Sequence, residues 1–317
     1  MGEKIDKVLN VIGRYNMIIK YLIAFIVILL LVNHVQSKED LLPVLYGFQY
    51  NKLLPAFILL ALHIGSLLLL WVVIVRNAYR VNMPFKLLFH SFFGGRTLGF
   101  ITPGQLGDLL KGMFFISGKR LEGTSVSILF SIYNSLIRIF IGIFAYIYIY
   151  RKYSISNFNN NFLMITCVLT IVLLVILYIF FFNNHLFKSK IELISILKKQ
   201  IINTSASYFL LFIILAIIAN LLSGLAFLTV LSGFDNNKID LDGFMAFEAA
   251  LFSLALFPIT PSGMGFREGF RVYFFSIIGC NSAAVLSASL IVFSLNIVLP
   301  ALIGLSSLKY LLNNLDS

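Results

Sequence analysis

Six apolar stretches, near residues 17–34, 54–75, 123–150, 162–183, 206–233 and 283–312, are each long enough to cross a bilayer. A hydrocarbon core of ~30 Å takes about 20 residues of helix. Water would force all six runs into one interior, and a chain of 317 residues that is 60% hydrophobic and 12% charged cannot enclose them. Lipid is the solvent this pattern requires. There the backbone must satisfy its own hydrogen bonds, so a spanning apolar segment is a helix. The expected fold is therefore all-α, a single integral membrane domain over residues 1–317.

Two more regions, 84–118 and 243–280, are apolar but interrupted by Gly, Pro and charged residues. Each is too broken for one clean span and too long for a loop. Each has the length of a helix, a turn and a second helix, which predicts a re-entrant helical hairpin.

The formal charge is +11, from 24 Lys and Arg against 13 Asp and Glu. In a membrane protein, basic residues collect in cytoplasmic loops facing anionic lipid, so the surplus argues for no nucleic-acid partner. Lys4, Lys7 and Arg14 precede the first span. Arg76, Arg80, Lys86, Lys119 and Arg120 flank the first hairpin, and Lys188, Lys190, Lys198 and Lys199 follow the fourth span. These regions are assigned to the cytoplasmic side of the plasma (inner) membrane, with both termini cytoplasmic. Arg151 and Lys152 run against that scheme. Segment 186–202 is amphipathic and reads as lying on the inner leaflet. No small-x-small cleavage site follows the first apolar run, which is expected to be a retained helix.

This orientation brings the first hairpin in from the cytoplasm and the second from outside, as in an inverted repeat, and the sequence itself carries a trace of one. Ile101-Thr102-Pro103-Gly104-Gln105-Leu106-Gly107 matches Ile259-Thr260-Pro261-Ser262-Gly263-Met264-Gly265 at four of seven positions, 158 residues apart. The same shift carries the second span onto the fifth and the third onto the sixth. Two inverted halves, 1–155 and 156–317, follow, each with three spans and one hairpin.

Thr is a favoured N-cap and Pro a favoured first helical residue. Thr102-Pro103 and Thr260-Pro261 therefore predict the start of each hairpin's second helix. The unpaired N–H groups there, with the dipole behind them, would attract an anion. Gly104, Gly107, Gly263 and Gly265 permit close backbone approach. Asp108 and Lys111 stand at i,i+3 after the first turn, and Glu268 and Arg271 at i,i+3 after the second, each pair on one helix face. Arg96 precedes the first turn and Arg267 follows the second. Arg138 sits mid-span among apolar residues, with Asn296 at the 158-residue shift, and Glu248 is related to His90 in the same way. Ionisable groups at membrane depth usually face a cavity or a substrate path. Four polar positions related by one shift suggest a shared central cavity; alternatively, Arg138 and Glu248 pair with each other and tie two helices together.

With these residues in view, the chain resembles the flippase-like transmembrane domain of lysylphosphatidylglycerol synthetases and their stand-alone relatives. One family motif, approximately Pro-x-Thr-Pro-Gly-Gly-Leu-Gly-x-x-Glu, reads here Pro258-Ile259-Thr260-Pro261-Ser262-Gly263-Met264-Gly265-Phe266-Arg267-Glu268. A second, Pro-Gly-x-x-Gly-Asp/Glu followed by a base, reads Pro103-Gly104-Gln105-Leu106-Gly107-Asp108 with Lys111. Ser262 stands where the family usually has Gly. An Arg common in the last span is absent, where Ser294 and Asn296 stand, and the Glu-Arg often found after the first motif is not evident.

The resemblance implies translocation of a lipid between leaflets, the lipid having an anionic or aminoacylated head group or a prenyl phosphate. It implies a transporter and not an enzyme, because the soluble aminoacyl-transferase domain of some members is not seen. Arg138, Arg267, Arg271 and Lys111 would hold the phosphate together with the helix starts at Thr102 and Thr260, with Asp108 and Glu268 orienting the bases. A homo-oligomer is compatible with this reading. No nucleotide-binding motif is present, and Cys167, Cys280 and the four histidines make no ligand spacing, so no cofactor or metal is expected. Two other classes stay open. Asp240-Leu241-Asp242 is a metal-binding pattern found in membrane glycosyltransferases, and half-helix ends also serve small-anion transporters.

Overall fold

The computed structural model describes residues 21–37, 41–79, 83–102, 105–114, 120–153, 192–234, 240–256 and 260–315. They form α1 (Tyr21–Gln36), α2 (Leu41–Tyr46), α3 (Leu53–Tyr79), α4 (Phe85–Ile101), a 3₁₀ segment (Leu106–Phe114) and α5 (Arg120–Tyr153). After these come α6 (Glu192–Ile202), α7 (Ala206–Leu231), α8 (Leu241–Leu256), α9 (Phe266–Ile277), α10 (Ser282–Phe293), a π-helical turn (Ser294–Val298) and α11 (Leu299–Leu315). Among the described residues every regular element is helical.

Four helices are long and apolar enough to cross a membrane: Tyr50–Tyr79, Leu121–Tyr153, Ala206–Leu231 and Ser282–Leu311. They coincide with the second, third, fifth and sixth expected spans. The first is the shorter apolar helix α1, and the fourth, 162–183, lies outside the described residues. Leu54, Phe57 and Leu62 on α3, Phe140 and Phe144 on α5, and Leu302 and Leu305 on α11 are exposed. Apolar exposure on this scale on every long helix suits a hydrocarbon solvent and not water.

Within regions 84–118 and 243–280, the described residues form helix, turn and helix in each case. The first comprises α4 and the 3₁₀ segment, and the second α8 and α9. In each, the second element packs back on the first. Helix α4 stops where proline chemistry requires. The residue before a proline is disfavoured in the α region, and Thr102 leaves the helix at φ −95, ψ 148.

The long helices pair in a regular way. α3 packs along α7, α4 along α11, and α5 along α8. The last two crossings each use a glycine, Gly304 on α11 and Gly142 on α5. A side chain at Gly304 would strike the Phe93 carbonyl of α4, and one at Gly142 would strike the Phe252 Cβ of α8. Two apolar clusters fill the interior. One gathers Phe227, Phe247 and Phe275, and the other Trp71, Phe92 and Phe130.

The π turn has a local cause. Pro300 has no N–H to give the Asn296 carbonyl four residues back, and its ring crowds that carbonyl. The helix widens to a five-residue turn over Ser294–Val298, the usual accommodation of such a conflict.

Candidate functional site

Where the two turns approach each other, they line an open cavity of about 390 Å³ with mixed polar and apolar walls. Its wall includes Arg96 from α4, Gln105 and Asp108 from the first turn and 3₁₀ segment, and Arg138 from α5. Ser262, Gly263, Arg267 and Arg271 come from the second turn and α9, and Asn296 from the π turn. The α5 contribution is a stripe: Ser131, Asn134, Ser135 and Arg138 all line it. Spacings of three and four residues place them on one helix face.

The turns touch directly. The Ser262 N–H donates to the Thr102 carbonyl at 3.4 Å, and the Ser262 hydroxyl donates to the Phe100 carbonyl at 3.1 Å. Ser262 sits at φ 50 and Gln105 at φ 60, both in the left-handed region. That conformation costs a non-glycine residue about 1–2 kcal/mol. It accounts for the glycine usual at the position of Ser262, and the cross-turn bonds offset the strain in this chain.

The helix starts differ from the expectation. The second helices begin at Leu106 and Phe266, several residues beyond the Thr-Pro pairs. Thr102 closes α4, and its Oγ1 accepts from the Gly107 N–H at 2.6 Å. Thr260 is no N-cap; its hydroxyl donates to the Met264 carbonyl at 2.8 Å. The residue flanking α9 is Gly265, whose φ of 84 favours glycine, and its N–H is met by Glu268 Oε2 at 2.6 Å. The positive end of α9 thus already holds a carboxylate of its own chain. The anion-attracting charge of this site resides in guanidinium groups instead. Pro103, Gly104 and Pro258-Ile259 lie outside the described residues.

The two i,i+3 pairs behave differently. Lys111 Nζ donates to Asp108 Oδ2 at 2.6 Å. Lys111 is fully buried, with its ammonium 3.5 Å from the Phe130 ring centroid and 4.9 Å from that of Trp71. Gly95 makes room for this pair, since a methyl there would lie 2.6 Å from Lys111 Cβ. Arg271, by contrast, forms no ion pair with Glu268. It donates to Ser289 Oγ at 3.3 Å and lies over Phe227 and Phe247. Arg267 donates to the Ser262 carbonyl and stacks on Phe293. On the amphipathic α9, the buried face carries Arg267, Glu268, Arg271, Phe274 and Phe275 together.

Glu248 is fully buried but lies outside the cavity wall, where its Oε2 accepts from Asn220 Nδ2 at 2.9 Å. No ion pair joins it to Arg138. Of the four positions related by the 158-residue shift, Arg138 and Asn296 meet in the cavity. His90 instead contacts Ser307 at 3.1 Å and stacks on Tyr310. Of the buried side-chain polar atoms left without a partner, Asp108 Oδ1, Arg138 Nε and Arg271 Nε belong to cavity-lining residues, and Tyr79 Oη, Asn220 Oδ1, Glu248 Oε1 and Glu268 Oε1 do not.

His63 was not singled out by sequence reasoning, yet it lines the cavity from α3. Its Nδ1 is 2.6 Å from the Ala219 carbonyl, an acceptor, so Nδ1 carries the proton. Asn134, Ser223 and the π turn were also missed. The signal for the turn was Pro300 inside an apolar run. Asp240 and Asp242, the metal-pattern candidates, have structural partners. Asp240 Oδ1 accepts from the Gly243 N–H at 2.7 Å, capping α8. Asp242 accepts from Tyr148, Lys152 and Tyr153. Among the described residues no three His, Cys, Asp or Glu side chains gather as metal ligands.

Spanning apolar helices around an arginine-rich cavity define an integral membrane protein whose site suits an anionic group. The family profile described as the lysylphosphatidylglycerol synthase TM region matches residues 17–304, and the chain belongs to that family. No curated protein and no solved structure matches it.

Proposed function

We propose that this protein moves a phosphate-containing lipid, either a phospholipid or a prenyl-phosphate-linked one, between membrane leaflets. The observation that carries this reading is the cavity between the two turns, where Arg96, Arg138, Arg267 and Arg271 line one space and none of them is ion-paired. Arg267 and Arg271 are buried, and a buried charge without a counter-ion costs several kcal/mol. An incoming phosphate relieves that cost, and guanidinium forks match its oxygens. The acyl or prenyl chains stay in lipid while the head group crosses.

On this reading the two helix-turn-helix units are re-entrant hairpins of an inverted repeat. The packing supports it. Under the 158-residue shift α4 corresponds to α8 and α5 to the α10–α11 span, so the α4–α11 and α5–α8 crossings are equivalents, and α3–α7 is its own equivalent. The turns then meet near the axis relating the halves, at the Thr102–Ser262 bond.

The chain acts here as a transporter and not as an enzyme. The engagement of Asp240 and Asp242 in capping and cross-helix bonds weighs against the glycosyltransferase alternative. The test is a phospholipid with a photoreactive head group, irradiated in proteoliposomes and mapped by mass spectrometry. Adducts at Asn134 and Asn296 support the reading. Adducts confined to lipid-facing residues such as Phe140, or divalent-metal-dependent turnover of a prenyl-phosphate sugar, refute it.

A further inference from the structure

Five basic side chains stand in or directly behind the cavity wall: Arg96, Arg138, Arg267, Arg271 and Lys111. The carboxylates acting on these bases are Asp108 in the wall, Glu248 near Arg138 and Glu268 near Arg267 and Arg271, which leaves a surplus of two positive charges. None of the three carboxylates neutralises an arginine at contact. Asp108 holds Lys111, Glu248 holds Asn220, and Glu268 caps α9. The Nε atoms of Arg138 and Arg271 are buried with no acceptor. Arg271 is 4% exposed and Arg267 7%, so both are largely withdrawn from bulk solvent.

We infer that the head group taken by this cavity is multiply anionic, a phosphomonoester or a diphosphate, and that zwitterionic or aminoacylated head groups are rejected. This rests on reading the cavity as a head-group site, and it narrows the substrate class. A phosphomonoester carries about −1.5 to −2 at neutral pH and balances the surplus. A phosphodiester carries one negative charge and leaves one arginine uncompensated. A phosphatidylglycerol bearing a lysyl ester is net positive and adds ammonium groups to a space already in cationic surplus, where the one lining carboxylate, Asp108, is ion-paired with Lys111 through Oδ2. A terminal phosphate also offers three oxygens, enough for two guanidinium forks at once, and a diester offers two. The cavity volume, about 390 Å³, falls in the range of sites that enclose small ligands.

The test uses the full chain in detergent micelles, titrated with dioctanoyl lipids that share tails and differ in head group. These are phosphatidate, phosphatidylglycerol, phosphatidylcholine and lysyl-phosphatidylglycerol, with inorganic pyrophosphate as the free-anion arm. Phosphatidate is expected to bind at least about tenfold tighter than phosphatidylglycerol, the scale of one added charge-assisted hydrogen bond. Phosphatidylcholine and lysyl-phosphatidylglycerol are expected to bind weakest, and Arg271→Gln to reduce the phosphatidate preference. Lysyl-phosphatidylglycerol or phosphatidylcholine binding as tightly as phosphatidate would overturn the inference, and so would an unchanged ranking in Arg271→Gln. Should that variant fail to fold, the parent's ranking alone decides. Pyrophosphate binding tightly while no lipid binds would uphold the charge argument and refute the lipid reading. Leaflet exchange indifferent to head group would do the reverse.

Discussion

Ser262 donates its backbone N–H to the Thr102 carbonyl at 3.4 Å, which joins the second Thr-Pro turn to the residue that ends α4. Residues 160 positions apart thereby close one side of the cavity. The Ser262 hydroxyl adds a second tie to the Phe100 carbonyl at 3.1 Å, while its φ of 50 strains the backbone.

Two substitutions separate these effects. Ser262→Ala keeps the strain and loses the hydroxyl bond, costing about 1 kcal/mol and roughly 2 °C in Tm. Ser262→Gly loses the same bond but relieves a left-handed penalty of about 1–2 kcal/mol, so it should melt above Ser262→Ala and near the parent. Thermal unfolding in detergent measures both. A Gly variant less stable than the Ala variant would contradict the account.

The buried Asp108–Lys111 pair gives a coupling prediction. Asp108→Asn leaves an ammonium sealed among Trp71, Phe92 and Phe130, and Lys111→Met leaves a lone carboxylate. Each should cost about 3–5 kcal/mol. The double variant removes both charges and should recover most of that loss. Additive losses in a double-mutant cycle would show that the two groups do not act as a unit.

Asp242 supplies a pH dependence away from the spans. Burial at the start of α8 raises its carboxyl, but hydrogen bonds from Lys152, Tyr153 and Tyr148 outweigh that and hold it at about 2. An unfolded-state carboxyl titrates near ~3.9. The folded value is the lower one, so this contribution is complete above ~3.9 and disappears as pH falls toward 2. Asp242→Asn should lower the melting temperature near pH 6 and flatten its decline toward acid. An unchanged acid profile would show that the cluster contributes nothing.

Much of this was legible in the chain. Long apolar runs located the described spans, because lipid leaves a backbone few choices. The two broken regions were recognisable as helix-turn-helix units, because Pro103 and Pro261 interrupt runs that are otherwise helical. Arg138 stood out because no apolar span tolerates an idle guanidinium. The helix starts were misplaced, since Thr-Pro is a local signal and the Glu268 contact to Gly265 decides where α9 begins. Local pairing rules also suggested that Glu268 would hold Arg271. Tertiary packing gives Arg271 to Ser289 and two phenylalanine rings instead. His63 was invisible because its role depends on a carbonyl 156 residues away.

The most direct measurement of the central claim is leaflet exchange of a fluorescent phosphate-containing lipid in proteoliposomes, read by quenching from outside. The account predicts exchange well above protein-free vesicles, falling at least about tenfold in Arg138→Gln, where one charge-assisted contact to the phosphate is lost. Exchange at the protein-free rate, or equal rates for parent and Arg138→Gln, would contradict it.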